Sequence, residues 1–323
     1  MNVGIDVGYS AVKAVSGDRR AIFLSAVGTP DKARFSLNGD DALILEEPMH
    51  VQVGAGAVEQ SRFIKRREDR KWTQGDEWYT LFLAALSELS TTRYDSAVRV
   101  VTGLPVAFYD DRAAVKARLV GEHKLRRENR HAQTFVVTDA KIVPQPLGTL
   151  CAMCMNDKGK VVDMELATGA VGVIDCGGKT CNLLSVNRLR EIGRETASVN
   201  IGAWDAVRAI RRWLDDNCPD LELRDHQVID AIIARETLYY GERVDLGEAV
   251  DAALEPLADQ VIAEASQLWN GAAALAAILV SGGGAFLLGP YIERHFRHAR
   301  VVPDPVWANA VGFWRFGQWV ASQ

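Results

Sequence analysis

Two short stretches of this chain set the same residue types in the same order. Near the start, Ile5-Asp6-Val7-Gly8-Tyr9-Ser10 leads on to Lys13, and Ile174-Asp175-Cys176-Gly177-Gly178-Lys179-Thr180 repeats the pattern at an offset of 169 residues (175 − 6). An aspartate before a glycine turn, with a hydroxyl after it, suits phosphate chemistry. Glycine tolerates positive φ, so Gly8 is expected to let the Tyr9 and Ser10 N–H groups converge on one anion without a Cβ in the way. Lys13 adds a point charge, and Asp6 and Asp175 are carboxylates of the kind that hold a hydrated Mg²⁺ through its waters. A third stretch, Ser281-Gly282-Gly283-Gly284-Ala285-Phe286, puts three glycines after an apolar run. Something must approach that backbone closely, either a nucleotide or a packed helix.

Strands must present these turns. Val3, Ile5 and Val7 alternate with Gly4, Asp6 and Gly8, and the chain restarts at Ala11-Val12, which predicts a hairpin. Gly17-Asp18 marks a second tight turn before Arg19–Leu24. Residues 28–48 are polar and predict short meandering strands such as Ala42–Leu45, and Val51–Val53 leads through Gly54 into a helix. Glu77–Leu89 has the apolar density of a buried helix, and Ala97–Val101 reads as a core strand running into Thr102-Gly-Leu-Pro105. Phe135–Val143 predicts a strand pair broken at Asp139. Pro144-Gln145-Pro146 then opens a helix-like run over Thr149–Met155.

The second half is expected to place a strand and glycine at Val199–Gly202, then helices over Ala203–Leu214, Gln227–Tyr240 and Leu246–Trp269. Pro256 falls in the last of these as a kink or first-turn residue. Ala277–Val280 is a buried strand, and Val306–Val320 closes the chain as a helix. The Trp307, Val311, Trp314 and Phe313, Phe316, Val320 stripes of that helix read as core.

With 323 residues the chain can build two domains, and 48% hydrophobic with 24% charged residues is the composition of a soluble globular protein. A net charge of −5 argues against direct binding to nucleic acid. No apolar run approaches the ~20 residues that cross a bilayer, and the chain begins directly in a strand, so a cytoplasmic location without membrane attachment is expected. Cys151, Cys154, Cys176, Cys181 and Cys218 are odd in number and set in apolar segments. They read as buried small hydrophobes in preference to a zinc or redox site. The basic stretches Arg62–Lys71 and His123–His131 are interleaved with acids. They read as solvated faces and as candidate subunit contacts.

Two phosphate hairpins, an adenosine-type glycine run and two connecting helices, in this order over nearly the whole chain, resemble the actin-like ATPase superfamily. The phrase Val101-Thr-Gly-Leu-Pro-Val-Ala-Phe-Tyr-Asp110 is most similar to plasmid-segregation actins of the ParM or StbA type and their archaeal relatives. The resemblance implies an α/β, actin-like (ribonuclease H-like, duplicated) two-domain fold with a nucleotide cleft between the domains. It divides the chain into residues 1–147 with 305–323, and residues 148–304. It implies ATP, or GTP, with Mg²⁺ as cofactors. The first phosphate loop would use Gly8, Tyr9, Ser10 and Lys13, and the second Gly177, Gly178, Lys179, Thr180 and Asn182. Gly202, Gly282, Gly283, Gly284 and Ala285 would complete the nucleotide contacts. Asp6 and Asp175 would hold the metal through water, and Gln145 would orient the attacking water. Being neutral, Gln145 implies slow turnover. The implied function is an ATPase that assembles into filaments, for plasmid segregation with a DNA-bound adaptor or for a cytoskeletal role. A small-molecule kinase and a non-polymerising nucleotide switch are the alternatives on the same fold.

Overall fold

In the structure, a computed structural model, residues 1–31, 43–65 and 71–323 are described. Ala42, at the start of the expected Ala42–Leu45 strand, and the middle of the Arg62–Lys71 stretch lie outside the described residues. The chain divides into two compact units, Met1–Asp163 with Trp307–Gln323, and Met164–Val306.

The described residues of the first unit build a ten-stranded sheet. At its centre, Asn2–Val7 lies parallel to Tyr94–Leu104, which lies parallel to Gln133–Pro144. Register pairs Ile5 with Thr102 and Leu104 with Pro144, so the three strands end at one edge. That carboxyl edge is where open α/β sheets place their ligands. Alternation along the first strand assigns its two faces. Val3, Ile5 and Val7 enter an apolar core with Leu81, Phe82 and Leu86 of the helix Asp76–Leu89. Gly4 faces the other way, toward the helix Ala308–Ala321, where a Cβ would stand 2.3 Å from Ala310 O.

The second unit repeats the plan more compactly. Ala170–Cys176 is antiparallel to Cys181–Asn187 and parallel to Ala277–Ser281, which is parallel to Ala299–Val301. Helices Ala203–Asn217, Asp225–Ala234, Gly247–Leu268 and Ala285–His295 bury their apolar faces with Ile174, Leu183, Ile278 and Val280.

Several expectations need correction. The Gln227–Tyr240 helix stops at Ala234. Arg235 is left-handed (φ 58°), and Glu236–Tyr239 pairs with Glu242–Asp245 around Tyr240-Gly241, both at positive φ. Phe135–Val143 is one strand, with register shifts near Val137 in place of a break. Pro256 lies inside the helix Gly247–Leu268 and not in its first turn. His123–His131 is no wholly solvated face. Gly121–Arg127 is a strand that buries His123, Leu125 and Arg127 on alternate positions, leaving Glu122, Lys124 and Arg126 outward. Charge alone hid it, because the inward polar groups are paired. His123 Nδ1 meets the Tyr79 hydroxyl at 2.6 Å, His123 Nε2 meets Leu119 O at 2.7 Å, and Arg127 pairs with Glu88. The aromatic stripes of the last helix are mostly not core. Phe313 is buried, while Trp307, Trp314 and Phe316 are half-buried. Phe313 packs on Val101 and Val143 of the sheet, Ala310 lies against Gly4, and Gly312 faces the helix Gln145–Cys154 instead.

Candidate functional site

The first turn joins Asn2–Val7 to Ala11–Ser16, with Asp6 opposite Lys13 across the ladder. Gly8 N–H closes the turn by donating to Ala11 O at 3.2 Å. Contrary to expectation, Gly8 is not among the positive-φ glycines, and neither is Gly177. Glycine is needed for closeness instead. A Cβ on Gly8 would lie 3.1 Å from Ala11 O, and one on Gly177 would lie 2.9 Å from Thr180 O.

Ser25, just past the next strand, grips the outer side of the first turn. Its N–H donates to Ser10 O at 3.0 Å and its hydroxyl to Gly8 O at 2.6 Å. The Tyr9 ring stacks on Trp72 with centroids 5.5 Å apart. Ser10 Oγ, shielded from solvent, has no hydrogen-bond partner among the described residues.

Asp6 is 4% exposed, and both of its oxygens are engaged. Oδ2 stands 3.6 Å from Lys13 Nζ, and Oδ1 accepts from Gln145 Nε2 at 2.9 Å. Gln145 is the first residue of the helix Gln145–Cys154, directly after the strand that ends at Pro144. With its NH₂ committed to Asp6, its Oε1 is the acceptor left for another proton donor. That helix is fixed by its crossing with Ala308–Ala321. There a Cβ on Gly312 would fall 1.6 Å from Gly148 O, and the Thr149 N–H and hydroxyl both donate to Asn309 Oδ1 at 3.1 and 2.9 Å.

In the second unit the turn Gly177–Thr180 is held by backbone donors. Gly284 N–H reaches Cys176 O at 2.8 Å, Ala203 N–H reaches Gly177 O at 3.1 Å, and Trp204 N–H reaches Gly178 O at 2.8 Å. A trans peptide points its N–H opposite its C=O, so each carbonyl held from outside turns the next N–H the other way. Gly202 permits the approach, since a Cβ there would sit 2.3 Å from Gly178 O. Its own N–H is taken by Asp205 Oδ2 at 2.9 Å. The N-terminus of the helix Ala203–Asn217 is thus spent on buttressing the turn. Asp175, 4% exposed, lies opposite Asn182, whose Oδ1 accepts from Ser198 Oγ at 2.7 Å.

The three glycines divide their labour. Gly282 has φ 85°, and a Cβ there would meet Cys176 O at 2.3 Å. Gly284 pairs with the turn as described. Around Gly283 a Cβ would meet nothing within 4 Å, which leaves its surface open. Ala285 begins the next helix, with Phe286 exposed on its first turn.

Asp6, Gly8, Tyr9, Ser10, Lys13 and Gln145 therefore gather at the carboxyl edge of the first unit's sheet. Asp175, Gly177 to Thr180, Asn182, Gly202 and Gly282 to Ala285 gather at that of the second. Ser25, Trp72, Ser198 and the Thr149–Asn309 pair were not legible in the sequence, because none falls in a spaced motif. Among the described residues no three His, Cys, Asp or Glu side chains group to cage a metal. The buried carboxylates of Asp6 and Asp175 are oxygen donors of the kind that fit Mg²⁺ held through its waters. The cysteines are all buried and free, as expected. Burial pushes the Cys151 thiol up and Cys154 to about 11, and a hydrogen bond to Cys176 together with burial raises Cys181, so these three stay thiols.

Residues 4–148 match the family model for the N-terminal domain of actin-like proteins, and residues 173–294 match that for the C-terminal domain of the archaeal actin homologue MreB-like family. In fold the chain is similar to the archaeal actin homologue Ta0583 at 20% identity, over 100% of both chains, with a TM-score of 0.83. Ta0583 in complex with ADP matches at 20% identity over 97% of each chain, TM-score 0.78. The 15-stranded ParM filament from Clostridium botulinum matches at 21% identity over 98% of each chain, TM-score 0.81. No curated protein matches in sequence. The fold is the actin-like two-domain fold.

Proposed function

From an actin-like fold carrying an actin-like N-terminal domain and an archaeal MreB-like C-terminal domain, we propose that this protein binds and slowly hydrolyses Mg-ATP and assembles into nucleotide-dependent filaments. The observation that carries the reading is the pair of turns in which the carbonyls of Gly8 and Ser10, and of Cys176, Gly177 and Gly178, are held by donors from neighbouring segments, which turns the N–H groups of Tyr9, Gly178 and Lys179 to the opposite side. The solvent-shielded Ser10 hydroxyl, without a partner among the described residues, fits a phosphate oxygen there, and the open surface at Gly283 fits an adenosine.

Phosphoryl transfer asks mainly for positioning and charge neutralisation. The Tyr9, Gly178 and Lys179 N–H groups and the Ser10 and Thr180 hydroxyls bind phosphate oxygens. Lys13 supplies the nearby positive charge. Asp6 and Asp175 are the carboxylates that would hold Mg²⁺ through its waters, and the ion would supply positive charge to the phosphates. Gln145 Oε1 accepts from the attacking water while Asp6 fixes the side chain's orientation. A neutral amide is a weak base, hence slow turnover.

ADP is bound in a Ta0583 structure, and a ParM is seen as a filament; both fit the reading. The partner is then a further copy of the chain in a head-to-tail contact. A cytoplasmic role follows in DNA segregation through a DNA-bound adaptor, or in a cytoskeleton. Replacing Gln145 with Ala should slow single-turnover phosphate release roughly 10²-fold while leaving ATP binding intact. Asp6→Ala or Asp175→Ala should remove Mg-ATP binding. Phosphate release unchanged by Gln145→Ala would end the assignment, and so would a requirement for a second, phosphate-accepting substrate.

A further inference from the structure

We infer that Ser25 is a positioning residue for triphosphate binding, holding the first turn so that the Tyr9 N–H faces the phosphates. The inference rests on the proposed nucleotide function.

Ser25 is 7% exposed and lies outside every motif discussed above. A tight bend, in which Ala26 N–H donates back to Leu24 O at 2.8 Å, brings both of its donors to the same side. Those donors meet alternate carbonyls of the turn, Ser10 O at 3.0 Å and Gly8 O at 2.6 Å. Ala26 O is itself anchored by Gly54 N–H at 3.0 Å, so the bend is not free to swing. With Gly8 C=O drawn toward Ser25, planarity of the Gly8–Tyr9 peptide sends the Tyr9 N–H the opposite way.

The two turns solve one problem by different means. In the second, the carbonyls of Cys176, Gly177 and Gly178 are each held by a main-chain N–H that no substitution except proline removes. In the first, the Gly8 carbonyl depends on one side-chain hydroxyl. Loss of that hydroxyl leaves the Gly8 peptide able to flip, and a flipped peptide presents an oxygen to an anion. The effect is specific to phosphate binding, because the core faces of the hairpin, Val3, Ile5, Val7 and Val12, are untouched.

The test uses the full chain and ATP carrying a fluorescent ribose label. Ser25→Ala is expected to weaken ATP binding about tenfold and to speed amide hydrogen exchange at Tyr9 and Ser10 alone. Ser25→Thr, which keeps the hydroxyl, should restore both. Ser87→Ala is the control. It removes a fully buried serine that donates to Ala84 O at 2.7 Å inside a helix, so it should lower the melting temperature without changing ATP affinity. If Ser25→Ala does not fold, Ser25→Cys, with nearly the same shape and a weaker donor, should show the loss. A parent that binds ATP together with a folded Ser25→Ala or Ser25→Cys variant of equal affinity overturns the inference and leaves the proposed function standing. A parent that binds no ATP overturns both.

Discussion

Gly312→Ala should separate the placement of Gln145, the proposed catalytic glutamine, from the making of the proposed nucleotide site. The new methyl would fall 1.6 Å from Gly148 O, 2.5 Å from Gly148 C and 2.8 Å from Ala152 N, all backbone atoms of a packed helix. No rotamer change relieves such a contact. To reach an ordinary separation of roughly 3.4 Å, the helices 145–154 and 308–321 must part by about 1.8 Å. Overpacking of this kind costs about 1–3 kcal/mol. Parting the helices also strains the two Thr149–Asn309 hydrogen bonds, each worth about 1 kcal/mol. The sum is about 3–5 kcal/mol, which for a unit of this size lowers the melting temperature by about 10 °C. A shift of that size also moves Gln145, at the head of the same helix, off its 2.9 Å contact with Asp6. Thermal unfolding, with ATP titration and single-turnover phosphate release below the new transition, reads all three quantities. Hydrolysis should fall at least tenfold more than affinity, since a displaced catalytic group costs rate steeply. Gly193→Ala, at a position without positive φ and with nothing within 4 Å, should match the parent. A melting temperature within ~2 °C of the parent, or equal losses of binding and rate, would refute the helix-crossing argument.

Other predictions are compact. Gly283→Ala adds a methyl in open space at ordinary φ, so it should leave stability unchanged and weaken nucleotide binding, whereas Gly282→Ala, at φ 85° and 2.3 Å from Cys176 O, should destabilise the second unit outright; denaturant melts beside ATP titrations check the contrast. The folded chain keeps the Cys154 proton up to about pH 11, where the unfolded thiol loses it near 9. Its contribution to stability is therefore complete below pH 9 and is lost as pH rises toward 11. Urea midpoints across that range should fall, and fall less in Cys154→Ala. The same burial predicts that thiol reagents modify none of the five cysteines before unfolding.

The two turns were legible because the phosphate binding proposed for them needs an aspartate, a glycine and a hydroxyl at short local spacing, and local spacing survives in one dimension. The central strands were legible for a similar reason, since Val3, Ile5 and Val7 alternate in plain sight. What was hidden is held by partners far along the chain. Ser25 works by reaching back across a strand, and Asn309 by meeting Thr149 across 160 residues. The role of Gly8 was misjudged because a glycine in sequence does not say whether φ or closeness requires it. Gly121–Arg127 was misread because its inward polar side chains are satisfied by Tyr79, Leu119 O and Glu88. The hairpin at Tyr240-Gly241 was misread because the apolar spacing of the preceding helix continues in sequence into Leu238 and Tyr239.

The central claim is a nucleotide cycle coupled to self-assembly, and sedimentation with simultaneous phosphate release tests it most directly. Purified protein should pellet on addition of Mg-ATP and stay in the supernatant with Mg-ADP or with ATP and a chelator, releasing phosphate slowly as polymer forms, with no acceptor substrate added. Protein that binds Mg-ATP yet neither pellets nor releases phosphate, or that releases phosphate only when an acceptor is supplied, would contradict it.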